Sequence, residues 1–266
     1  MERISLPKSV SMIENHGARA VFAIEPLYPG YGMTVGNALR RVLLSSLPGA
    51  AITHVKIEGV THEFSTLPYV KEDVVDILLN VKKIRLKLHG EGPVTIVLNA
   101  TGAKTVTAGD IQANAEVEVI NGDQPIATLT DKAGKLEMEF VVEAGRGYVP
   151  VEQREKEKRD IGLIAIDSIF TPMKNVNFTT ANVRVGQMTN YDKLVLDITT
   201  DGSITPAEAL KMSAAIMVEH FGFVADSAIE GEDMAVVEEK LDASDETAEE
   251  KPKKAKKKKS DEESEE

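Results

Sequence analysis

The sequence predicts an α+β fold, on three observations. Apolar residues recur at helical spacing in two long stretches near the ends of residues 1–226, and in a shorter stretch between them. Short runs rich in β-branched residues fill the interval and alternate with glycine and asparagine turn signals, which is typical of antiparallel strands. Residues 227–266 carry blocks of like charge without aromatic side chains and are therefore expected to form a disordered tail.

Composition excludes several classes of function. The 266 residues include 42% hydrophobic and 28% charged residues, as in ordinary soluble proteins. The absence of cysteine rules out disulfides, thiolate nucleophiles and cysteine-ligated zinc or iron–sulfur centres. The amino-terminal residues lack a signal-peptide core, and no apolar run approaches the roughly 18 residues of a membrane span. These features fit a cytosolic protein.

The net charge of −12 is concentrated at the carboxyl end. Residues 227–266 carry −7, from 15 acidic residues against 8 lysines, which leaves −5 for the rest. An acidic body argues against nucleic-acid binding through broad electrostatics.

The first long helix is predicted from Thr34 to Leu47, after a strand at 19–25. The Thr34 hydroxyl is the expected N-cap, and the helix is expected to stop at Pro48-Gly49. One stripe is apolar and is expected to face the core; it consists of Val35, Ala38, Leu39, Val42 and Leu43.

The opposite side of this helix is unusual because it places a leucine between arginines. It consists of Asn37, Arg40, Arg41 and Leu44. Arginine is enriched at interface hot spots, so this face is a candidate partner-binding anchor. An ordinary amphipathic helix with one exposed leucine explains the pattern equally simply, and both interpretations stay open here.

A mainly antiparallel β region with one helix is predicted from about Ala50 onward. The helix is expected at Glu72–Lys83, with acidic residues in its first turn and lysines in its last. Strands are expected at 52–58, 84–88, 94–98, 116–120, 126–129 and 136–142. Asn121-Gly122-Asp123 is expected to form a hairpin turn.

A charged segment, Val151–Asp160, then predicts an exposed loop. Further strands are expected at 161–170, 176–185 and 193–199, the last two joined across Asn190–Asp192.

The second long helix is predicted from Pro206 to about Phe223, with Thr205 as its N-cap. Apolar residues occupy more than one of its sides, which is typical of a buried helix. The pattern does not distinguish burial between subunits from burial in the core of a monomer.

The best lead toward an enzyme is the glycine turn Gly30-x-Gly32-x-x-x-Gly36, which precedes a helix as in dinucleotide-binding folds. Its spacing is one residue longer than the common pattern, and the strands that follow alternate as antiparallel hairpins. The five histidines lack metal-ligand spacing, and no phosphate loop, serine elbow or paired-carboxylate motif occurs. The sequence therefore offers no convincing active site.

Five segments in order resemble the alpha subunits of bacterial RNA polymerases. They are Gly32–Gly49, Glu58–Ser65, Glu72–Asn80, Gly145–Pro150, and Asp192–Ile198 with the Asp201-Gly202 that follows. The resemblance covers about residues 4–225. It implies a dimerisation domain of mixed α/β structure at 1–49 and 173–226, an inserted β-rich domain at 50–172, and a tail at 227–266.

The resemblance also implies partners and contact residues. A homodimer is expected to scaffold assembly of the beta and beta-prime subunits in the bacterial cytoplasm, associated with the nucleoid. Contact with beta is expected at Asn37, Arg40, Arg41 and Leu44. The dimer interface is expected at Val35, Leu39, Val42, Leu43, Met212, Ile216, Met217 and Phe221. A surface facing the large subunits is expected at Asp73, Arg146 and Tyr148.

No catalytic residue or cofactor is expected in this chain, since the resemblance assigns the catalytic magnesium to beta-prime. DNA contact is expected through the whole complex, with no membrane partner. The chain departs from the family after Ser227, where the charged tail leaves no room for the usual carboxyl-terminal DNA-binding domain. Weak, sequence-blind DNA attraction by Lys251–Lys259 is a separate hypothesis.

Two alternatives remain at this stage. One is a nucleotide-dependent enzyme that uses the Gly30–Gly36 turn. The other is a free regulatory relative that dimerises without joining a polymerase.

Overall fold

The computed structural model describes residues 4–90, 92–154 and 162–227, and its fold is α+β with mostly antiparallel sheets. The helices are α1 (Tyr31–Ser45), α2 (Val74–Val81) and α3 (Pro206–Asp226). The strands are β1 (Ser9–His16), β2 (Arg19–Leu27), β3 (Pro48–Ile57), β4 (Leu86–Leu88), β5 (Val94–Thr101), β6 (Lys104–Thr107), β7 (Val117–Val119), β8 (Pro125–Leu129), β9 (Lys135–Arg146), β10 (Tyr148–Val149), β11 (Leu163–Ala165), β12 (Ser168–Ile169), β13 (Met173–Val185) and β14 (Met188–Thr200). Short 3-10 turns occupy Ala108–Asp110 and Val151–Gln153.

A four-stranded antiparallel sheet joins the two ends of the chain, in the order β1-β2-β14-β13. Leu194, Leu196 and Ile198 alternate along β14 and are fully buried, as expected for a strand with one face on a core. The helix α1 packs on β13 and β14, and residues of α3 between Ala209 and Met217 pack against the same core. This sheet and its core therefore unite residues about 200 positions apart.

A second sheet occupies the middle of the chain, in the order β5-β9-β3-β4-β7, with β11 also pairing with β3. Its core is separate and includes the inner side of α2. Burial alternates along β9, where Leu136, Met138, Phe140 and Val142 are buried. Two-stranded ladders, β6-β8 and β10-β12, complete the architecture.

Several element boundaries differ from the sequence predictions. The strand at 19–25 continues through Pro26 to Leu27, and β3 begins at Pro48, so Pro48-Gly49 starts a strand rather than capping a helix. The strands β1 and β6 were not predicted. The helix α2 is shorter than Glu72–Lys83, because Asp73 caps it by accepting the Asp76 backbone N–H at 2.7 Å.

Two turn predictions were wrong. Asn121–Asp123 does not form a hairpin turn, since β7 pairs with β4 and β8 pairs with β6. The strands β13 and β14 meet at Gly186, where φ is +62°, and Asn190–Asp192 lies inside β14.

By contacts between Cα atoms the chain divides into two units, Met1–Glu219 and His220–Glu266. The described part of the second unit, 220–227, contains the end of α3. The charged tail lies outside the described residues apart from Ser227, as do residues 155–160 of the charged Val151–Asp160 segment.

Candidate protein-binding surfaces

The glycine turn before α1 is built for packing rather than for a cofactor. Gly30 has φ +86° and precedes the first helical residue. A Cβ on Gly32 would lie 2.9 Å from a Thr180 methyl, and one on Gly36 would lie 2.6 Å from the Phe178 ring. These glycines therefore let α1 approach the sheet closely.

A carboxylate of the chain itself occupies the amino end of α1. One Asp192 oxygen accepts the backbone N–H groups of Gly30 at 2.9 Å and Gly32 at 3.0 Å. A pyrophosphate at this position would meet a negative charge, and the adjoining strands are antiparallel rather than parallel. The structure thus contradicts the dinucleotide-binding hypothesis. It also corrects the predicted N-cap, because Thr34 lies within the helix.

The outer face of α1 holds the candidate anchor. Asn37, Arg40, Arg41 and Leu44 are all exposed, with Leu44 at 36%. The Arg40 guanidinium donates to the Val176 carbonyl at 3.2 Å, which draws it toward the sheet. Within the described residues, the side chains of Asn37 and Arg41 make no hydrogen bond, and the only bond at Arg41 outside the helix ladder uses its backbone carbonyl. The face therefore presents one unpaired arginine and one leucine to solvent.

The apolar stripe of α1 belongs mainly to the core of its own chain. Leu39 is 5% exposed and Leu43 is fully buried. Val35, Ala38 and Val42 are half-buried. An interface formed by this helix would therefore rest on the half-buried positions, with the two leucines beneath them.

The helix α3 begins as predicted. The Glu208 backbone N–H donates to the Thr205 hydroxyl at 3.3 Å, and the Glu208 carboxylate accepts the Thr205 backbone N–H at 3.0 Å. The Glu208 carboxylate also accepts the Thr205 hydroxyl, and the hydrogen bonds that it accepts from the Thr205 backbone and side chain lower the pKa of Glu208.

The rest of α3 is less buried than its apolar sequence predicts. Only Pro206, Ala209 and Ser213 are buried among its residues. Met212, Ile216 and Met217 are half-buried, and Val218 is 71% exposed. In the second unit, Phe221, Phe223 and Val224 are exposed. Among the described residues, α3 therefore packs against the core of this chain along one side, which includes Ala209, Met212 and Ile216, and leaves other apolar side chains exposed.

The third candidate surface combines α2 with the Arg146–Tyr148 segment. Asp73 caps the amino end of α2, and Val75 and Leu79 are exposed on its outer side. Arg146 and Tyr148 are also exposed. Between them, Gly147 has φ +65°, and a Cβ there would lie 3.5 Å from the Ser45 carbonyl oxygen. This segment therefore runs beside the end of α1.

Phe170 fixes the same region from inside. A Cβ on Gly145 would lie 2.8 Å from the Phe170 ring, and a Cβ on Gly49 would overlap the Phe170 carbonyl oxygen. The Phe170 backbone N–H donates to the Gly147 carbonyl at 2.9 Å. The Arg154 guanidinium lies 5.7 Å from the ring centroid and 3.3 Å from the Glu143 carboxylate.

Asp167 joins α2 to this segment, and the sequence analysis missed it. Its carboxylate accepts the Lys82 ammonium at 2.7 Å and the Val151 backbone N–H at 3.0 Å. The hydrogen bond from Lys82 and that from Val151 lower the pKa of Asp167. Lys82 is 85 positions away in sequence, so no local pattern indicates the contact.

Among the described residues, no group of three or more histidine, aspartate or glutamate side chains is arranged to hold a metal ion. Every buried side-chain nitrogen or oxygen in that part of the chain has a hydrogen-bond partner. None of the described helices is long and apolar enough to cross a bilayer. The arrangement is suited to protein contact through exposed apolar and arginine side chains.

Comparison with known proteins gives consistent matches. Residues 55–171 match the RNA polymerase Rpb3/RpoA insert domain. The chain is 50% identical over 242 residues to the DNA-directed RNA polymerase subunit alpha of Clostridium botulinum, which covers 90% of this chain and 76% of that protein. The chain belongs to the family of DNA-directed RNA polymerase alpha subunits.

Two further relatives agree. The subunit alpha of Moorella thermoacetica is 56% identical over 199 residues, covering 75% of this chain and 63% of that protein. The subunit alpha of Symbiobacterium thermophilum is 51% identical over 221 residues, which cover 83% of this chain and 70% of that protein. The matched domain, 55–171, comprises most of the second sheet and its core.

Proposed function

We propose that this chain is a non-catalytic assembly subunit of a bacterial RNA polymerase, acting in the cytoplasm as a homodimer that binds the beta and beta-prime subunits. Residues 1–49 and 173–226 form the dimerisation domain in this proposal, and 50–172 form an inserted domain. The observation that carries it is the exposed apolar side of α3 in a chain of this family. A lone chain that exposes such a helix is expected to bury it against a partner.

The proposed dimer interface uses the surfaces that one chain leaves uncovered. Val35 and Val42 contribute from α1, and Met212, Ile216 and Met217 contribute from α3. Phe221 of the second unit is a further proposed contact. Leu39 and Leu43 support the α1 side from within the core.

The proposed contact with beta is the outer face of α1. The unpaired Arg41 and the exposed Leu44 supply a cation and an apolar anchor, a combination frequent at interface hot spots. Asn37 and Arg40 flank them, and Asp73, Arg146 and Tyr148 mark the second surface proposed to face the large subunits. The two surfaces are distinct, so their contributions can be tested separately.

The test is coexpression of the full chain with beta, followed by measurement of capture and of oligomeric state. Arg41→Ala is expected to weaken capture by about 2 kcal/mol while leaving the dimer intact. Lys132→Ala removes an exposed cation from the turn before β9 and serves as the control. Unchanged capture by Arg41→Ala would reject the role of this face, and a monomeric wild-type chain would reject the dimer.

Direct DNA contact by Lys251–Lys259 remains a separate proposal about residues outside those described. It predicts that the assembled polymerase loses promoter affinity at low salt when residues 251–266 are deleted. Equal affinity of the two polymerases across a salt series would remove it.

A further inference from the structure

Two parts of the chain that are separate in sequence meet at Asp167. Lys82 is the C-cap of α2, and Val151 follows β10. The two carboxylate oxygens are used separately, Oδ2 by the Lys82 ammonium at 2.7 Å and Oδ1 by the Val151 backbone N–H at 3.0 Å. Tyr148 lies in β10, which pairs with the strand β12 that directly follows Asp167.

Asp167 is itself held rigidly by its two neighbours. The Ile166 backbone N–H donates to the Thr53 carbonyl at 3.0 Å, and the buried Ser168 hydroxyl donates to the Ile52 carbonyl at 3.1 Å. Both acceptors belong to β3, in the middle of the second sheet. The carboxylate is therefore a fixed point that positions the Lys82 side chain and the Val151 amide.

The ion pair between Lys82 and Asp167 is partly buried, so its attraction can help to hold the two parts of the chain together. The side chains of Lys82 and Asp167 are 25% and 29% exposed, so solvent screens their attraction only in part. A charged acceptor also strengthens the hydrogen bond from the Val151 amide. Removal of the carboxylate would leave the end of α2 and the chain after β10 without their shared attachment.

We infer that Asp167 is a positioning residue that holds α2 and the Arg146–Tyr148 segment together as one partner-binding surface. Leu79 and Tyr148 are among the exposed residues of that surface, and they depend on Asp167 for their position relative to each other. The claim about position stands on the contacts alone, whereas the claim about binding rests on the proposed function.

Amide hydrogen exchange of the full chain tests the claim about position. Asp167→Ala is expected to speed exchange of the Val151 amide and of the last turn of α2 by about tenfold or more, because their attachment is lost. Exchange in β9 should stay unchanged if the effect is local. Asp123→Asn is the control, because this exposed side chain makes no hydrogen bond to another residue that the structure describes. Unchanged exchange at Val151 in Asp167→Ala overturns the inference.

The ionisation of Tyr148 gives a second readout that a general loss of stability would not reproduce. Desolvation, the hydrogen bond with Asp167 and the charge of Asp167 raise the pKa of Tyr148, with Glu152 adding to the effect and Lys82 opposing it. Asp167→Asn removes the charge but keeps the shape, so the phenol should ionise at lower pH than in the wild type. Subtracting the titration of Tyr148→Phe isolates this phenol from the other tyrosines. A Tyr148 titration identical in wild type and Asp167→Asn contradicts the assigned contact.

Binding of purified beta and beta-prime to the full-chain dimer tests the claim about the surface. Asp167→Ala is expected to weaken binding by about tenfold, and Lys82→Met should add little to it because both act through one contact. Additive losses, or equal affinity of Asp167→Ala and wild type, would overturn this half of the inference. Failure of the wild-type dimer to bind either subunit would instead reject the proposed function, and the exchange result would still decide the claim about position.

Discussion

At the scale of single residues, the amino end of α1 shows how a local motif is explained by a distant contact. The glycines of Gly30-x-Gly32-x-x-x-Gly36 resembled a nucleotide loop because helix N-termini and small residues are needed there too. Here the same features admit Asp192 and the side chains of β13 and β14. The glycines could be recognised from sequence, but the occupant of the turn could not, because it lies 160 residues away.

Replacement of Asp192 tests this contact. Asp192→Ala removes the acceptor of two backbone N–H groups at a helix N-terminus and should lower the free energy of unfolding by about 2 kcal/mol. Urea unfolding followed by circular dichroism measures the change. The exposed Asp123 side chain makes no hydrogen bond within the described part of the chain, so Asp123→Asn should stay within about 0.5 kcal/mol of the wild type. Equal losses from both variants would refute the capping role.

Gly36 provides a second residue-scale prediction. Alanine normally stabilises a helix by about 1 kcal/mol over glycine. At Gly36 the added Cβ would lie 2.6 Å from the Phe178 ring and 2.8 Å from a Leu194 methyl, so the overpacked core should lose about 1–3 kcal/mol instead. Gly222→Ala is the helical control, because beyond the local helix its new Cβ would have no atom of the described residues within 4 Å. Chemical unfolding of Gly36→Ala should show a net loss; a gain would mean that α1 tolerates displacement from the sheet.

At the scale of elements, the accuracy of prediction follows the range of the determining contacts. The start of α3 was predicted correctly because Thr205, Pro206 and Glu208 form a local cap. The start of α1 was misplaced because its cap comes from β14. The strand β1 escaped prediction since all its residues are exposed and its pairing with β2 alone defines it.

The exposed side of α3 carries a prediction of its own. Phe221 is 62% exposed, so Phe221→Asp should leave the chain folded while burying a charge in the proposed dimer interface. Sedimentation equilibrium should therefore detect folded monomers. Met212→Asp is different because Met212 already packs against the core of its chain, and this variant should lose folded protein as well. A dimer of Phe221→Asp as stable as the wild type would place the interface elsewhere.

At the scale of the whole molecule, the sheets and the candidate surfaces were predictable from different features of the sequence. The α+β class and the antiparallel middle region followed from hydrophobic patterns that any core of this kind requires. The candidate faces of α1 and α3 were also visible in the sequence, because their exposed arginine and apolar positions break the ordinary amphipathic pattern. The junction around Phe170 and Asp167 was not, because glycines, a phenylalanine and an aspartate acquire their roles there only through contacts between distant strands.

Ion pairs in three separate parts of the fold predict how its stability responds to acid. Lys104 beside Asp110, Lys82 beside Asp167 and Arg19 beside Asp197 each hold the pKa of the aspartate below its ordinary value of 3.8. A carboxylate with a lowered folded-state pKa binds protons more readily in the unfolded chain, so its contribution is complete above the unfolded value and is lost as pH falls through the folded one. The free energy of unfolding should therefore decline as pH drops below about 4. Urea titrations at a series of pH values measure the slope. Asp197→Asn should lower stability at neutral pH while making the decline shallower, since one proton-linked group is gone. An unchanged slope in Asp197→Asn would show that its bidentate contact with Arg19, at 2.9 and 2.7 Å, contributes nothing to the acid response.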